Sequence, residues 1–301
     1  MTNNQLKYGN CKLCAVITSY NPSVNFEQTL AQISKQVDKI VIVDNNSEER
    51  IKDSFHTFSD DSKIHIIFNS TNCGVATALN QGILWAKENA YNWLLLLDQD
   101  SGLPDNFVED LFRIYQQAIF KEQIAIIGPK YFDIESSKHQ KQAGAENNNT
   151  FDEVKHLITS GSLISMEVFN KIGMFQDELF IDFVDIEFCL RARRNGYKII
   201  QVPSILMQHR IGAVSMHKLP WKTTGTSNHA PMRRYFMMRN NIIVAKKYFA
   251  FDPAWAINSL IIRFKSVFLL CLFEDQKRLK LKYILLGLID GIFRKVNRKV
   301  I

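Results

Sequence analysis

Short apolar runs alternate along the chain with segments whose apolar residues recur at helical spacing. Leu13 to Thr18 reads as a buried strand closed by the turn Ser19-Tyr20-Asn21-Pro22, and Phe26 to Val37 as a helix with Phe26, Leu30 and Ile33 on one face. Lys39 to Val43 is a second strand, ending in Asp44-Asn45-Asn46-Ser47; Ile64 to Phe68 is a third, followed by a loop from Asn69 to Gly74. Val75 to Ala90 turns Leu79, Ile83 and Ala86 inward on a helix. Trp93 to Leu97 is a fourth strand, Asn106 to Phe120 a helix and Ile124 to Ile127 a fifth strand. Such alternation predicts an α/β fold: a doubly wound, mostly parallel sheet with helices on both faces. Ligands of open α/β sheets bind beyond the carboxyl ends of the strands, which is where Thr18, Asp44, Asn72 and Asp98 fall.

The strand ends carry the chemistry. Trp93 to Ser101 reads W-L-L-L-L-D-Q-D-S, an apolar run that stops at two carboxylates one residue apart. Asp98 and Asp100 in one turn can reach a single hard cation, which can hold a diphosphate; a polar turn after a strand is the plainer reading. No G-x-G-x-x-G follows the first strand and no P-loop lysine motif occurs, so a glycine-rich turn cannot be the main phosphate holder. Asp44 suits either a ribose or base contact or an Asx-turn. Asn72, Gly74 and the helix beginning at Val75 offer close backbone approach and free amides to a phosphate, or a simple helix entry. The small residues Thr159-Ser160-Gly161-Ser162 line a pocket or pack tightly.

The second half contributes D-E-L-F-I-D-F-V-D-I-E-F-C-L-R from Asp177 to Arg191. Asp182, Asp185 and Glu187 lie among Phe180, Phe183, Ile186 and Phe188, acids in the setting of a general base. On a helix Asp182, Asp185 and Cys189 share a face; acids complementing the helix dipole, with Arg191, Arg193 and Arg194 at the other end, are the competing account. His209, in H-R-I-G, is a candidate extra ligand for Mn²⁺ or Mg²⁺. Arg233, Arg234 and Arg239 stand among aromatics between His229 and Asn240, as phosphate clasps or as a basic helix face.

Composition changes this picture little. The 301 residues are 46% hydrophobic and 22% charged, an ordinary globular balance with no repeat. Five cysteines and no signal peptide favour a reducing cytoplasm, and the C-x-x-C of Cys11 and Cys14 has no second pair to make a zinc site. Charge is uneven: of the net +7, Glu274 to Ile301 holds eight Lys or Arg against three acids. Pro253 to Phe273 is apolar, but Arg263 and Lys265 break it into runs of about ten residues against roughly 20 for a span, so no transmembrane helix is expected. Leu281, Ile284, Leu285, Leu288 and Ile292 form a stripe with basic flanks, as in a peripheral helix on an anionic membrane, or one packed on protein. No nucleic-acid motif accompanies the basic tail.

Taken together and in this order, I-T-S-Y-N-P, V-D-N-N-S, N-x-G-V-A-T-A-L-N-Q-G, L-L-L-L-D-Q-D-S, L-F-I-D-F-V-D-I-E-F-C-L-R, H-R-I-G and P-M-R-R-Y-F-M-M-R-N resemble family 2 glycosyltransferases of the GT-A fold, nearest to the bacterial rhamnosyltransferases that build surface polysaccharide. The resemblance runs from about Leu13 to Asn241. It implies a catalytic domain over 1–241, with a nucleotide half (about 11–130) and an acceptor half (about 131–241), and a helical, basic region over 242–301 for membrane or subunit contact. It assigns Thr18 and Asp44 to the nucleoside, with Tyr20, Asn72, Gly74 and Gln99 also on the donor side. Asp98, Asp100 and His209 are assigned to Mg²⁺ or Mn²⁺, and Arg233 or Arg239 to the leaving diphosphate. Asp185 is the implied base; many members carry Glu-Asp where this chain has Val184-Asp185, which keeps Asp182 as the alternative. The implied reaction is inverting transfer of L-rhamnose from dTDP-β-L-rhamnose to a saccharide, lipid-linked, in O-antigen or other polysaccharide synthesis. UDP-hexose and UDP-galactofuranose are alternative donors, and a non-catalytic glycan- or nucleotide-sugar-binding protein is a third reading. A homo-oligomer and a peripheral place on the inner face of the plasma membrane complete the expectations.

Overall fold

The computed structural model describes residues 11–23, 25–58, 61–133, 150–209, 215–219 and 222–294. The asparagine run at 147–149 and the basic residues beyond Arg294 lie outside the described residues. Two compact units emerge: unit 1 comprises Met1–Asp177 and Phe188–Arg210, and unit 2 comprises Glu178–Glu187 and Ile211–Ile301. The expected division at residue 241 falls inside a continuous helix, Pro231–Tyr248.

Unit 1 is built on β1 (Leu13–Ser19), α1 (Phe26–Ser34), β2 (Lys39–Asp44), α2 (Glu49–His56), β3 (Ile64–Phe68), α3 (Gly74–Glu88), β4 (Trp93–Asp98), α4 (Phe107–Gln117), β5 (Ile124–Asp133), β6 (Asp152–Glu153), β7 (Ser162–Ser165), α5 (Met166–Ile172) and β8 (Lys198–His209). The eight strands form one sheet in the order β3-β2-β1-β4-β7-β5-β8-β6. The half from β3 to β4 is wholly parallel, as helical crossovers require. β7 then pairs antiparallel with both β4 and β5, so the sheet is mixed beyond β4. That short strand, only Ser162–Ser165, runs against both of its neighbours.

The apolar runs are buried because they are central strands. Leu13 to Ile17, Ile40 to Val43 and Leu94 to Leu97 are closed to solvent, and one face packs on Phe26, Leu30 and Ile33 of α1 and on Phe107, Leu111 and Ile114 of α4. Trp93 closes the amino end of the core edge-on to Phe112 and Tyr115.

Unit 2 contains the hairpin β9 (Ser215–Leu219) and β10 (Lys222–Thr226), then α7 (Pro231–Tyr248), α8 (Pro253–Phe273) and α9 (Lys277–Phe293). A further helix, α6 (Val184–Arg194), begins in unit 2 and continues into unit 1. α9 does pack on protein, but by only part of the expected stripe, Ile284 and Leu288. Ile284 is buried against Met238, Ile242 and Leu270, whereas Leu281, Leu285 and Ile292 are exposed. The packed face instead runs through Lys280, Ile284, Gly287, Asp290 and Gly291. Glycine decides this: a Cβ at Gly287 would lie 2.4 Å from the Tyr235 carbonyl oxygen, and one at Gly291 2.9 Å from that of Arg239. The two backbones approach too closely for any side chain between them.

α8 is one unbroken 21-residue helix, long and apolar enough by length and composition to cross a membrane. Arg263 does not interrupt its exposed side, because the guanidinium lies over the Phe183 ring.

Gly287→Ala is expected to lower unfolding stability by about 1–3 kcal/mol through overpacking against backbone that cannot yield. A denaturant midpoint equal to that of the parent would show that α7 and α9 have room to separate.

Candidate active site

The register of unit 1 brings three strand ends into one row. Thr18 pairs with Asp98 across β1 and β4, and Ser19 with Asp44 across β1 and β2. Asp98 is half-buried as the last residue of β4, and Asp100 is exposed in the turn after it. The turn is tied from several sides. The Ser101 N–H donates to the Asp98 carbonyl at 3.1 Å, and the Asp98 N–H donates to the Ser101 and Ser160 hydroxyls at 3.1 and 3.4 Å. The Ser101 and Ser160 hydroxyls also bond each other. The Gln99 side-chain oxygen accepts the Tyr20 N–H at 2.7 Å, linking this turn to the end of β1, while the Tyr20 ring is exposed. Gln99 thereby orients the turn and leaves Asp98 and Asp100 as the carboxylates at the strand end.

Behind this turn, Thr159 to Ser162 packs tightly rather than lining an open pocket. Ser160 and Ser162 are buried, and Gly161, at φ +76°, donates its N–H to the Leu96 carbonyl. A Cβ there would meet Met207 Sδ at 2.7 Å.

Asp44 is wholly buried and closes an Asx-turn: its carboxylate accepts from the Ser47 N–H at 2.9 Å and the Ser47 hydroxyl at 2.5 Å. Asn45 Oδ1 accepts the Cys73 N–H at 2.9 Å, and the Asn69 amide exchanges two 2.9 Å bonds with that of Gln81. Asn72 Oδ1 accepts the Gly74 N–H at 3.0 Å, so one of the α3 entry amides is already used. Gly74 has φ +85°, a conformation that a Cβ would oppose. His209 ends β8; its side chain lies outside what is described. Among the described residues no three His, Cys, Asp or Glu side chains cluster as metal ligands.

In unit 2 the segment before α6 is strained. Phe180, Asp182 and Phe183 all have positive φ, 62°, 63° and 66°, three non-glycine residues in the left-handed region within one turn. Asp182 therefore precedes the helix, and the expected shared face of Asp182, Asp185 and Cys189 does not form. Asp182 instead makes a two-pronged pair with Arg233, 3.2 Å from Nε and 3.1 Å from Nη2. Asp185 stands in the first turn of α6, half-buried, with Oδ1 accepting the Ile186 N–H at 2.8 Å.

Sequence reasoning missed the residues that hold this turn. Asn240 is wholly buried, and its amide donates to the carbonyls of Leu179, Ile181 and Asp182 at 2.7, 2.8 and 3.0 Å. Arg239, only 2% exposed, donates to the Glu178 and Leu179 carbonyls and covers the Tyr235 and Phe236 rings. The expected diphosphate contact from Arg239 is therefore set aside: its fork is already filled and closed to solvent. Arg233, with 43% of its side chain exposed, remains. Glu187, wholly buried, accepts from Lys247 Nζ at 2.8 Å and Tyr248 Oη at 2.6 Å, anchoring the α6 start to α7. The sequence offered only faint signals, an amide pair after Arg239 and a Lys-Tyr pair closing α7.

Just before α7, desolvation pushes the His229 imidazole down to about 4, helped by the positive charges of Arg233 and Arg234. Unfolded, this imidazole takes a proton near pH 6.5. Below that pH the unfolded chain binds the extra proton, so stability is fully present above about 6.5 and is lost as pH falls towards about 4. His229→Gln should flatten that part of the stability–pH profile; an unchanged slope in urea melts would show that His229 does not contribute. Asn240→Ala removes the amide donor that the Leu179, Ile181 and Asp182 carbonyls share. It should cost about 1–3 kcal/mol and lower kcat more than tenfold with little change in donor affinity. An unchanged kcat would remove the turn from the reaction.

The glycosyl transferase family 2 model matches residues 14–173. The dTDP-rhamnosyl transferase RfbF of Shigella flexneri is 32% identical over 253 residues, 79% of this chain and 81% of RfbF. Among solved structures, TarS 1–349 of S. aureus superposes with a TM-score of 0.59 at 14% identity, covering 95% of this chain and 82% of that one. The mannosyltransferase PcManGT of Pyrobaculum calidifontis, in complex with GDP-Man and Mn²⁺, superposes at 0.54 with 10% identity, covering 94% and 88%. These two share the fold. With the family model matching more than half of the chain, this protein belongs to glycosyl transferase family 2.

Proposed function

We propose that the chain is an inverting rhamnosyltransferase that moves L-rhamnose from dTDP-β-L-rhamnose to a lipid-linked saccharide in surface-polysaccharide synthesis. The observation that carries this reading is the kinship with RfbF, 32% identity across four-fifths of both chains. Within unit 1, Thr18, Tyr20, Asp44, Asn72, Gly74 and Gln99 belong to the donor side. Asp44 acts chiefly by shaping the loop through its Asx-turn.

Asp98 and Asp100 suit Mg²⁺ or Mn²⁺. They offer hard oxygen donors on a turn fixed by Ser101, Ser160 and Gln99, and Asp100 is exposed. PcManGT, solved with Mn²⁺, supports a divalent ion. A bound ion supplies charge neutralisation for the departing diphosphate. Arg233 adds a guanidinium to the same task, with Asp182 holding its fork.

Asp185 is the base. Asp182 is committed to Arg233, whereas Asp185 opens α6 directly after a turn that Asn240 and Arg239 hold rigid. It takes the proton of the acceptor hydroxyl as that oxygen attacks the anomeric carbon from the face opposite the diphosphate. Displacement passes through an oxocarbenium-like state, and one base gives inversion, hence an α-L-rhamnoside.

The C-terminal helices support a peripheral place on the inner face of the plasma membrane. Exposed Phe264, Phe268, Leu285 and Phe293 are accompanied by exposed Lys265, Lys277, Arg278 and Lys282.

Asp185→Asn should lower transfer at least a hundredfold while sparing donor binding. Substantial residual transfer would move the base to Asp182. A panel of sugar nucleotides should give thermal stabilisation with dTDP-rhamnose that requires Mn²⁺ or Mg²⁺. Preference for a UDP-hexose would change the donor, and no metal-dependent stabilisation by any donor would sink the enzyme reading. Co-sedimentation with anionic vesicles at low salt, absent with neutral ones, tests the membrane contact.

A further inference from the structure

Thr77 and Asn80 of α3 turn their side chains off their own helix. Three residues apart, they share a face, and both reach the chain that runs from α5 to α6. Asn80 is buried and uses its amide there from both ends. Its Nδ2 donates to the Phe175 carbonyl at 2.8 Å and to Asp177 Oδ1 at 2.9 Å, and its Oδ1 accepts the Phe175 N–H at 3.0 Å. The Thr77 hydroxyl donates to the same Asp177 oxygen at 2.9 Å, so two donors from α3 hold that carboxylate. The Cys73 thiol, at the head of α3, is pushed up by burial first and also by the charge of Asp177.

The same segment seats α6. Arg191 of α6 donates to the Ile172 and Met174 carbonyls at 2.6 and 2.8 Å. Phe188, one turn before it, packs on Phe175 with ring centres 4.8 Å apart, and on Phe169 at 5.3 Å. Gly173 keeps this contact close, since a Cβ there would lie 3.2 Å from Arg191 Nη1. Phe175 thus joins the two helices: Asn80 fixes its backbone, and its ring supports α6. Asp185 stands on the same continuous helix, one turn before Phe188.

Filling space does not require so polar a joint. The neighbours of Asn80 on α3 are the buried apolar residues Ala76, Leu79 and Ile83, and an apolar side chain would pack among them. What it would lose is direction. Hydrogen bonds fix one register where apolar contact allows several, and a fully satisfied buried network is rigid. Chemistry needs that precision: misplacing a reacting group by about 1 Å can cost roughly a hundredfold in rate.

We propose that Asn80, assisted by Thr77, is a positioning residue for the transfer step. By pinning Phe175 and Asp177 it fixes the orientation of α6 and so aims the Asp185 carboxylate. This rests on the reading of Asp185 as the base. α3 begins at Gly74, in the loop proposed for the donor, so one helix joins that loop to the joint that orients the base.

The test follows turnover of dTDP-β-L-rhamnose by the full-length chain, read as dTDP release with water as acceptor. Asn80→Ala should lower kcat about tenfold or more and leave the dTDP dissociation constant within about twofold. Thr77→Val, which keeps the shape and loses the hydroxyl, should lower kcat about threefold, and Thr77→Ser should restore it. Each change is then placed in an Asp185→Asn background. A residue that acts through Asp185 has nothing left to aim there, so each should cost less than about twofold. Losses that keep their full size in both backgrounds make the pair a general support of the fold and overturn the proposal. So does an unchanged kcat in Asn80→Ala and Thr77→Val. Thr77 is only half-buried, so its variants decide the matter if Asn80→Ala does not fold. A parental rate in Asp185→Asn alone would remove Asp185 as the base and this role of Asn80 with it, and that outcome is recognisable before either α3 change is made.

Discussion

Three backbone carbonyls that neither helix nor strand can satisfy govern the second unit. Leu179, Ile181 and Asp182 point their oxygens inward from a turn in which three non-glycine residues are left-handed. Buried carbonyls require donors, and left-handed bulky residues persist only where the surroundings over-determine them. The Asn240 amide meets all three, Arg239 shares Leu179 and adds the Glu178 carbonyl, and Arg233 grips the Asp182 carboxylate. Successive residues of α7 thus hold the chain that delivers Asp185. The close α7–α9 contact at Gly287 and Gly291 keeps that helix in place.

Unit 1 meets the same demand by different means. Its strands end in polar turns where side chains close the backbone: Asp44 on Ser47, Asn45 on Cys73, Asn72 on Gly74 and Gln99 on Tyr20. Much of the polar chemistry visible in the sequence is thus scaffold, fixing the loops so that a few groups stand at the strand ends. Asp98 and Asp100 owe their position to the hydroxyls of Ser101 and Ser160 behind them. Catalysis by pre-organisation requires that division between rigid support and exposed carboxylate.

The arginines illustrate how far a residue type can be read. R-R-Y-F-M-M-R-N announces phosphate chemistry, yet Arg239 serves carbonyls, Arg234 serves Glu274 and Arg233, forked on Asp182, is the one of the three whose side chain stays partly exposed. Meanwhile Arg263, which in the sequence merely interrupts an apolar segment, lies over the Phe183 ring with its Nε buried and unpartnered. Spacing along a helix gives a residue's direction, but the partner across the interface decides its use.

What the sequence determined by itself was the parallel half of the sheet and the strand ends from Ser19 to Asp98. There, long β-rich apolar runs with turn residues after them admit one arrangement, and the core buries what the pattern marks as apolar. The motif order likewise carried the family resemblance. Only the tertiary structure decided the antiparallel insertion of β7, the place of Asp182 outside α6, the glycine-lined packing of α9 and the work of Asn240 and Glu187. Each depends on pairing between residues far apart in the chain: local periodicity reports which side of an element is apolar, but not which carbonyl, carboxylate or backbone it will meet.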